Sequence, residues 1–200
     1  METLEYIKNK YKVDTTSKEI IEMKFSRWDE LLVLFRELGF KNGVEIGTYK
    51  GQFAETMCKL IPGLDLKCVD AWTVYKDYKD YGVNDLESDA YKIAKERSEK
   101  FGFELIKGWS LDSVKQFEDE SLDFVFIDAN HDFRHVTDDV DEWSKKVRKG
   151  GIVAGHDFFK NHHKRFGVKE AIPAWCAAND ISPLFAITKD HCPSWFYVKK

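Results

Sequence analysis

Two polar clusters in the second half of the chain combine carboxylates with imidazoles. Asp128 is followed three residues later by His131, and His156 directly precedes Asp157. Carboxylates and imidazoles act as general bases, and both bind divalent metal ions. Each cluster directly follows an apolar run that is typical of a buried strand. In a parallel sheet, such strand ends lie on one rim, so we expect the two clusters to face the same site.

A turn with two glycines, Gly47 and Gly51, lies in the first third of the chain. It follows an apolar strand predicted at 44–46 and precedes an amphipathic helix, where glycine allows a tight turn and a close approach of ligand to backbone. Dinucleotide-binding turns carry one glycine more. The strand also holds Glu45, which would repel a pyrophosphate. The turn therefore favours a phosphate-free ligand with an amino group and a sulfonium, and Asp70, ending the next strand, is placed to accept both ribose hydroxyls.

Strand-like and helix-like segments alternate from residue 43 to about residue 180. This alternation predicts an α/β fold with a doubly wound, mostly parallel sheet and right-handed crossovers. Two β-rich runs, 184–188 and 195–198, predict a C-terminal antiparallel strand pair. The glycines at 150–151 are expected to cap the helix before the fifth strand. The polar residues that we single out all follow predicted strands: Gly47–Gly51, Asp70, Trp109-Ser110, Asp128–His131 and His156-Asp157.

The first 40 residues are predicted to form a helical N-terminal extension, and residues 41–200 a globular domain. In the extension, apolar residues recur at three- and four-residue spacing between Trp28 and Leu38, which predicts one apolar helix face. The extension is also a candidate for pairing with a second copy of the chain, so a homo-oligomer is one expected partner arrangement.

The composition is that of a globular protein. Hydrophobic residues make up 43% of the chain, and the formal net charge is -4 with both signs interspersed. This balance favours neither nucleic acid nor an anionic membrane as a partner. No apolar run is long enough to span a bilayer, and the first residues lack the pattern of a signal peptide. The four cysteines are scattered, which predicts reduced thiols and a cytoplasmic location.

Taken together, these motifs resemble the class I S-adenosylmethionine (SAM)-dependent methyltransferases. Within that class, the chain is similar to the small-molecule O-methyltransferases that include the macrolide-sugar (macrocin-type) enzymes. The resemblance covers roughly residues 40–200 and rests on five segments: Val44–Gly51, Asp70-Ala71-Trp72, Gly108-Trp109-Ser110, Phe126–His131 and Gly150–Asp157.

The resemblance implies SAM as the cofactor and a set of residues that bind it. Its methionine part would be held by the first turn: Glu45, Gly47, Thr48 and Gly51. Asp70 would bind the ribose, and Trp109 and Ser110 would flank the adenine. Trp72 is a further candidate to pack against the adenine. Ala71 and Asp128 complete the implied set.

Methyl transfer to a hydroxyl requires alignment and removal of the acceptor's proton. By the resemblance, His131 would act as the general base with Asp128 beside it, and Asp128 and Asp157 would bind a divalent metal ion such as Mg or Mn. His156 departs from the family, which has a carboxylate there. Since an imidazole suits zinc, manganese, iron or nickel better than magnesium, both the presence and the identity of the metal stay open. His156 is a third candidate ligand, or else a second base or a hydrogen-bond partner of Asp157.

The expected function is O-methylation of a small hydroxylated acceptor, a saccharide or a related metabolite, with N-methylation as an open variant. Two alternatives are a nicotinamide-dependent oxidoreductase on a similar sheet and a SAM-binding protein without activity. Tyr75, Tyr78 and Tyr81 are candidates for a lid over the acceptor or for simple packing. The basic run 162–165 is a solvated loop or a contact for an anionic acceptor.

Overall fold

The computed structural model describes residues 2–73, 89–159 and 166–200, and the strands in these ranges form one eight-stranded sheet. In chain order the strands are β1 Ile21–Met23, β2 Asn42–Ile46, β3 Asp65–Asp70, β4 Glu104–Lys107, β5 Leu122–Ile127, β6 Val147–Gly155, β7 Leu184–Ile187 and β8 Ser194–Val198. Their order across the sheet is β1-β7-β8-β6-β5-β2-β3-β4.

Helices cover both faces of this sheet. In chain order they are α1 Thr3–Tyr11, α2 Leu32–Glu37, α3 Gln52–Leu60, α4 Ala90–Phe101, α5 Ser110–Ser113, α6 Phe133–Lys146 and α7 Val168–Ala178. A π-helical turn, Arg27–Leu31, leads into α2, and a 3₁₀ turn, Val114–Gln116, follows α5. None of the helices in the described ranges combines the length and the apolarity that a membrane span needs.

The sheet is parallel except at β8, which runs antiparallel to both β6 and β7. The prediction of a doubly wound, mostly parallel sheet with a C-terminal antiparallel pair is therefore confirmed. The chain builds outward from β2 towards β3 and β4 on one side, and from β5 towards β6 on the other. Because β2 and β5 are neighbours, the strand order reverses between them, and this is where ligands bind in such sheets.

The alternation of side chains along the central strands creates two apolar cores. On one face, Phe124 and Phe126 of β5 pack with residues of α1, α2 and α3. On the other face, Val125 packs with residues of α6 and α7, including Trp143 and Ile172. All six residues of β5 are buried, as expected of a strand that is covered on both faces.

The expectation of helix throughout residues 1–40 is wrong at β1. Ile21–Met23 pairs in parallel with β7, more than 160 residues away in the chain, and buries Met23. The helices on either side of β1 contribute Ile7, Leu32 and Phe35 to the same core as the central strands. A three-residue strand has too few positions for a recognisable alternation, and its partner is distant in sequence.

The glycines at 150–151 do not cap a helix. Helix α6 ends at Lys146, and β6 begins at the next residue. Gly150 has a φ of 75° within β6, where the register against β5 shifts between Leu122 and Phe124. These glycines therefore form a bulge in the strand rather than a helix end.

Candidate active site

The glycine turn after β2 is packed directly against the end of β5. Gly47 has a φ of +87°, and a Cβ there would lie 2.0 Å from the carbonyl oxygen of Asp128. The backbone N–H of Asp128 donates to the carbonyl of Ile46 at 2.7 Å. Gly51 has a φ of +74° and leads into α3. Glycine at position 47 thus provides both a left-handed conformation and room for the neighbouring strand.

Asp70 connects this turn to the segment after β3. Its Oδ2 accepts the backbone N–H of Tyr49 at 2.8 Å, and its Oδ1 accepts the backbone N–H of Trp72 at 2.7 Å. Burial raises the pKa of the Asp70 carboxyl, although the two backbone hydrogen bonds partly oppose this rise. Each carboxylate oxygen retains a lone pair, so Asp70 can accept two further hydrogen bonds.

Trp72 closes the side of the turn. Its indole Nε1–H donates to the carbonyl of Tyr49 at 2.7 Å, and its ring meets Tyr91 edge to face at 5.0 Å. The residue is buried and has a φ of 43°. Ala71, which lies between Asp70 and Trp72, is partly exposed.

Glu45 and Thr48 bring unsatisfied polar atoms to the same place. Glu45 is 3% exposed, and within the described ranges its Oε2 has no hydrogen-bond partner. The buried Oγ1 of Thr48 is likewise unpartnered there. Burial, together with the negative charges of Asp128 and Asp70, raises the pKa of Glu45 well above its ordinary value. A cationic ligand with a hydrogen-bond donor would relieve both conditions.

The predicted adenine residues Trp109 and Ser110 lie after β4, and the Ser110 side chain is hydrogen-bonded to α6. Trp109 is 46% exposed. The Ser110 hydroxyl donates to Asp139 at 2.5 Å and accepts the indole N–H of Trp143 at 2.8 Å. Its single proton is therefore used inside the protein, and α5, which begins at Ser110, is attached to α6.

Asp139 was not among the residues singled out from the sequence. It is 4% exposed, and its burial raises the pKa of its carboxyl to about 6. The sequence does indicate that Asp139 is buried, because it shares the spacing of one helix face with three apolar residues: Val136, Val140 and Trp143. An acid within an apolar stripe requires a partner, and Ser110 is that partner.

The structure brings the four predicted catalytic and metal-binding side chains together beyond β5 and β6. His131 Nε2 lies 3.2 Å from Asp128 Oδ1 and 3.1 Å from Asp157 Oδ2. His156 Nδ1 lies 3.5 Å from Asp128 Oδ1 and 3.3 Å from Asp157 Oδ1. Two imidazoles thus face the same two carboxylates. The ligand atoms of Asp128, His131 and Asp157 lie within 4.8 Å of one another, a spacing that suits a metal ion.

The two carboxyls of this cluster differ in their electrostatics. Burial raises the pKa of Asp128, but the charge of His156 and the hydrogen bond from His131 outweigh it, so the pKa lies well below its ordinary value. At Asp157 burial has the stronger influence, and the pKa is raised despite both histidines. The Asp128 carboxyl is therefore ionised over a wider pH range than the Asp157 carboxyl.

The tautomer of His156 follows from its surroundings. Its Nε2 lies 3.1 Å from the carbonyl oxygen of Cys192, and a carbonyl can only accept. In the neutral ring Nε2 therefore carries the proton, and Nδ1 directs a lone pair towards Asp128 and Asp157. The Nδ1 lone pair and the two carboxylates repel one another unless a proton or a cation lies between them. The sequence gives no indication that Cys192 contacts His156, because its backbone carbonyl rather than its thiol accepts the hydrogen bond.

Phe166 and Gly167 hold His131 in place. The rings of His131 and Phe166 stack with centroids 5.0 Å apart, and the backbone N–H of Gly167 donates to the carbonyl of His131 at 2.7 Å. Two other sequence-based candidates, the tyrosines 75, 78 and 81 and the basic run 162–165, lie outside the described residues.

Comparisons with known proteins identify the family and the fold of the chain. A family model described as a methyltransferase domain matches residues 44–158, which is more than half of the chain. No curated protein sequence matches significantly.

Solved structures match over nearly the whole chain. An O-methyltransferase from Bacillus cereus in complex with SAH has a TM-score of 0.66 and 19% identity, over 99% of this chain and 90% of that one. The O-methyltransferase TomG from Streptomyces achromogenes, in complex with SAM, has a TM-score of 0.64 and 16% identity, over 100% and 91%. A Podospora anserina methyltransferase bound to SAH has a TM-score of 0.61 and 17% identity, over 99% and 86%.

At these identities the structures establish the shared fold, and the family model establishes the family. The chain belongs to the family of methyltransferase domains, and the predicted resemblance to class I methyltransferases is confirmed.

Proposed function

We propose that this protein is a SAM-dependent O-methyltransferase that acts on a small hydroxylated acceptor. One observation carries the proposal: the glycine turn after β2 and the carboxylate–imidazole cluster after β5 touch at the point where the strand order reverses, with Gly47 against the backbone of Asp128. A cofactor held in the turn would therefore present its reactive end to the cluster. The SAM and SAH bound by the two solved O-methyltransferases support the same cofactor.

The residues around the turn fit the charge of SAM. Its amino and sulfonium groups are cationic, and three carboxylates converge there, from Glu45, Asp70 and Asp128. The unpartnered Glu45 Oε2 is an acceptor for an ammonium group. Pyrophosphate, which nicotinamide cofactors carry, would meet repulsion at the same place. This charge pattern favours SAM over the nicotinamide alternative.

His131 is the proposed general base. As the acceptor oxygen attacks the methyl carbon and the thioether leaves, the proton of the acceptor hydroxyl passes to the hydrogen-bonded group of His131, Asp128 and Asp157. An imidazolium at His131 would lie 3.2 Å from Asp128 and 3.1 Å from Asp157, so two carboxylates stabilise it. Stacking on Phe166 fixes the ring plane during this transfer.

Asp128, Asp157 and the Nδ1 of His156 are the proposed ligands of a divalent metal ion. When bound, such an ion would lower the pKa of an acceptor hydroxyl. His156 Nδ1 lies 3.5 Å from Asp128 Oδ1 and 3.3 Å from Asp157 Oδ1, which supports this donor set, and His131 shares the group of ligand atoms that lie within 4.8 Å of one another. Since one donor is nitrogen, manganese, zinc, iron or nickel suits the site better than magnesium.

The acceptor is proposed to be a saccharide or a related small metabolite, as in the macrocin-type group that the sequence resembles. Solved structures of similar fold include a putative caffeoyl-CoA O-methyltransferase from Staphylococcus aureus and TomG, which is involved in tomaymycin synthesis. Those names describe those proteins. They support a small-molecule acceptor here and do not select one.

Calorimetric titration of the purified protein with S-adenosylhomocysteine (SAH) and, separately, with NADH tests the cofactor. We expect SAH to bind and NADH not to bind, because the turn lacks a phosphate site and is lined with carboxylates. Binding of NADH without binding of SAH would contradict the proposal and favour an oxidoreductase.

Three single variants separate the proposed base from the proposed metal ligands. We expect His156→Ala to weaken Mn²⁺ binding, measured by the loss of free Mn²⁺ signal in electron paramagnetic resonance. His131→Ala should keep Mn²⁺ and SAH binding but lose formation of SAH from SAM across a panel of catechol and glycoside acceptors. His135→Ala, on the outer side of α6 and paired with Asp132, is the control. Loss of Mn²⁺ binding in His131→Ala but not in His156→Ala would reverse the two roles.

A further inference from the structure

Ser26 and Arg27, at the start of the π-helical turn, are held by one carboxylate in the connection between β7 and β8. Ser26 Oγ donates to Asp190 Oδ1 at 2.6 Å, and the backbone N–H of Arg27 donates to Asp190 Oδ2 at 2.8 Å. The Asp190 carboxylate is thus occupied by a hydroxyl and a main-chain group. It holds the position of Arg27 and leaves the guanidinium to other partners.

The Arg27 guanidinium lies on two aromatic rings. Its Cζ is 4.8 Å from the centre of the Trp28 ring and 5.4 Å from that of Phe53. Counting only the described residues, its buried Nε has no hydrogen-bond partner. A buried N–H without an acceptor is costly, and the planar fork of arginine matches the two oxygens of a carboxylate. The side chain is therefore arranged to receive an anion.

The position of this cation relative to the active site follows from its neighbours. Phe53 lies in the first turn of α3, two residues after Gly51. The Phe53 ring packs on Phe126 with centroids 4.5 Å apart, and Phe126 is two residues before Asp128. The positive charge of Arg27 is also felt at Asp157. Arg27 thus packs on the first turn of the helix that follows the glycine turn, within electrostatic range of Asp157.

We propose that Arg27 binds the carboxylate of the cofactor's methionine part, an inference that rests on the proposed function. That part of SAM carries a carboxylate as well as two cationic groups. Glu45 and Asp128 suit the cationic groups and repel the carboxylate, so an opposite charge is needed nearby. Arg27 supplies it next to the first turn of α3, where the helix dipole also favours an anion.

The experiment compares two ligands that differ by one group: SAH and its decarboxylated analogue, S-adenosyl-3-thiopropylamine. Calorimetry gives the affinity of each for the full-length wild type and for Arg27→Met, which keeps an apolar stem over Trp28 and Phe53. We expect Arg27→Met to weaken SAH binding by about 10- to 100-fold, as loss of a hydrogen-bonded ion pair implies. The affinity for the decarboxylated analogue should stay within about twofold of the wild type, since it has no carboxylate to lose.

Two further variants make the comparison decisive. Arg27→Lys keeps the charge without the planar fork, so its ratio of SAH to analogue affinity should fall between those of the wild type and Arg27→Met. Arg36→Met removes an exposed arginine of α2 and should leave that ratio unchanged. Equal weakening of both ligands, or no weakening of either, would overturn the inference. Failure of the wild type to bind SAH at all would instead reject the proposed function.

Discussion

Gly47 is the residue at which the glycine turn after β2 contacts Asp128, which directly follows β5. A side chain at this position would have to adopt a φ of +87° and would place its Cβ 2.0 Å from the carbonyl oxygen of Asp128. The atoms that this Cβ would meet are the carbonyl oxygen and carbon of Asp128 and the Cα of Ala129. All of them belong to the backbone, so no flexible side chain could move aside. The turn and the end of β5 can therefore be regarded as one rigid unit.

We predict that Gly47→Ala destabilises the protein by more than the roughly 1–2 kcal/mol that a left-handed alanine costs. The additional cost comes from displacing β5, and SAH binding should be lost with it. Urea unfolding and calorimetry measure the two effects. Gly102→Ala is the matched control, because Gly102 has a φ of +83° and an alanine Cβ there would meet no atom within 4 Å. Equal stability losses in the two variants would show that the contact with Asp128 is unimportant.

Asp139 gives the stability of the protein a specific pH dependence. Burial raises the pKa of its carboxyl to about 6, from an ordinary value of 3.8. Folding therefore favours the protonated form, and this contribution is fully present below about pH 4 and is lost as the pH rises through about 6. Above that range the protein carries a buried charge that Ser110 only partly compensates.

Asp139→Asn keeps the shape and the acceptor for Ser110 without a charge. We predict that its stability relative to the wild type rises by about 2–3 kcal/mol between about pH 4 and pH 8. Urea unfolding at a series of pH values measures this difference. Asp112→Asn, at an exposed carboxylate paired with Lys115, serves as the control. A difference between Asp139→Asn and wild type that does not vary with pH would refute the prediction.

The sequence predicted the acids and histidines of the site but not the residues that hold them. Asp128, His131, His156 and Asp157 stood out because polar groups after buried strands are unusual. Phe166 and the carbonyl of Cys192 did not, since a ring that stacks and a backbone that accepts leave no chemical signature. Their roles depend on three-dimensional contacts between segments that are far apart in the chain.

At the scale of elements, Asp190 links the segment before α2 to the connection between β7 and β8. We predict that Asp190→Ala destabilises the protein by about 1–3 kcal/mol, because Ser26 Oγ and the backbone N–H of Arg27 both lose their acceptor. Thermal unfolding followed by circular dichroism measures the loss. The adjacent exposed side chain in Lys189→Ala should change nothing. An unchanged melting temperature in Asp190→Ala would mean that water replaces the carboxylate.

Strand β5 could be predicted because residues 124–127 form a continuous apolar run that is followed by Asp128. Strand β1 could not, because its three residues pair with β7, and such distant pairing leaves no local pattern. The π-helical turn is equally hidden, since Trp28 and Leu31 fit ordinary helical spacing. The glycines at 150–151 predict a helix end and form a bulge instead, because glycine is common at both.

At the scale of the whole molecule, the first 37 residues and the central sheet share one core. Ile7, Leu31 and Phe35 are fully buried in the same cluster as Phe124 and Phe196. We predict that a chain shortened to residues 41–200 does not fold, because one face of the sheet would be exposed to water. Near-ultraviolet circular dichroism of the shortened chain tests this.

Urea unfolding of the full-length chain provides the matching measurement. If the first residues belong to the same cooperative unit, near- and far-ultraviolet signals should change together in one transition. Two separate transitions, or a shortened chain with a native near-ultraviolet spectrum, would identify the first 40 residues as an independent extension.

The bulge at Gly150 contacts two segments that are far apart in the sequence. Thr3 Oγ1 donates to the carbonyl of Gly150, and the backbone N–H of Gly150 donates to the carbonyl of Lys199. Thr3 and Lys199, near the two ends of the described ranges, therefore both contact Gly150. A short peptide would connect them, and the chain could then be opened at an exposed loop elsewhere. Circular permutation would thus reorder the segments while every strand kept its neighbours.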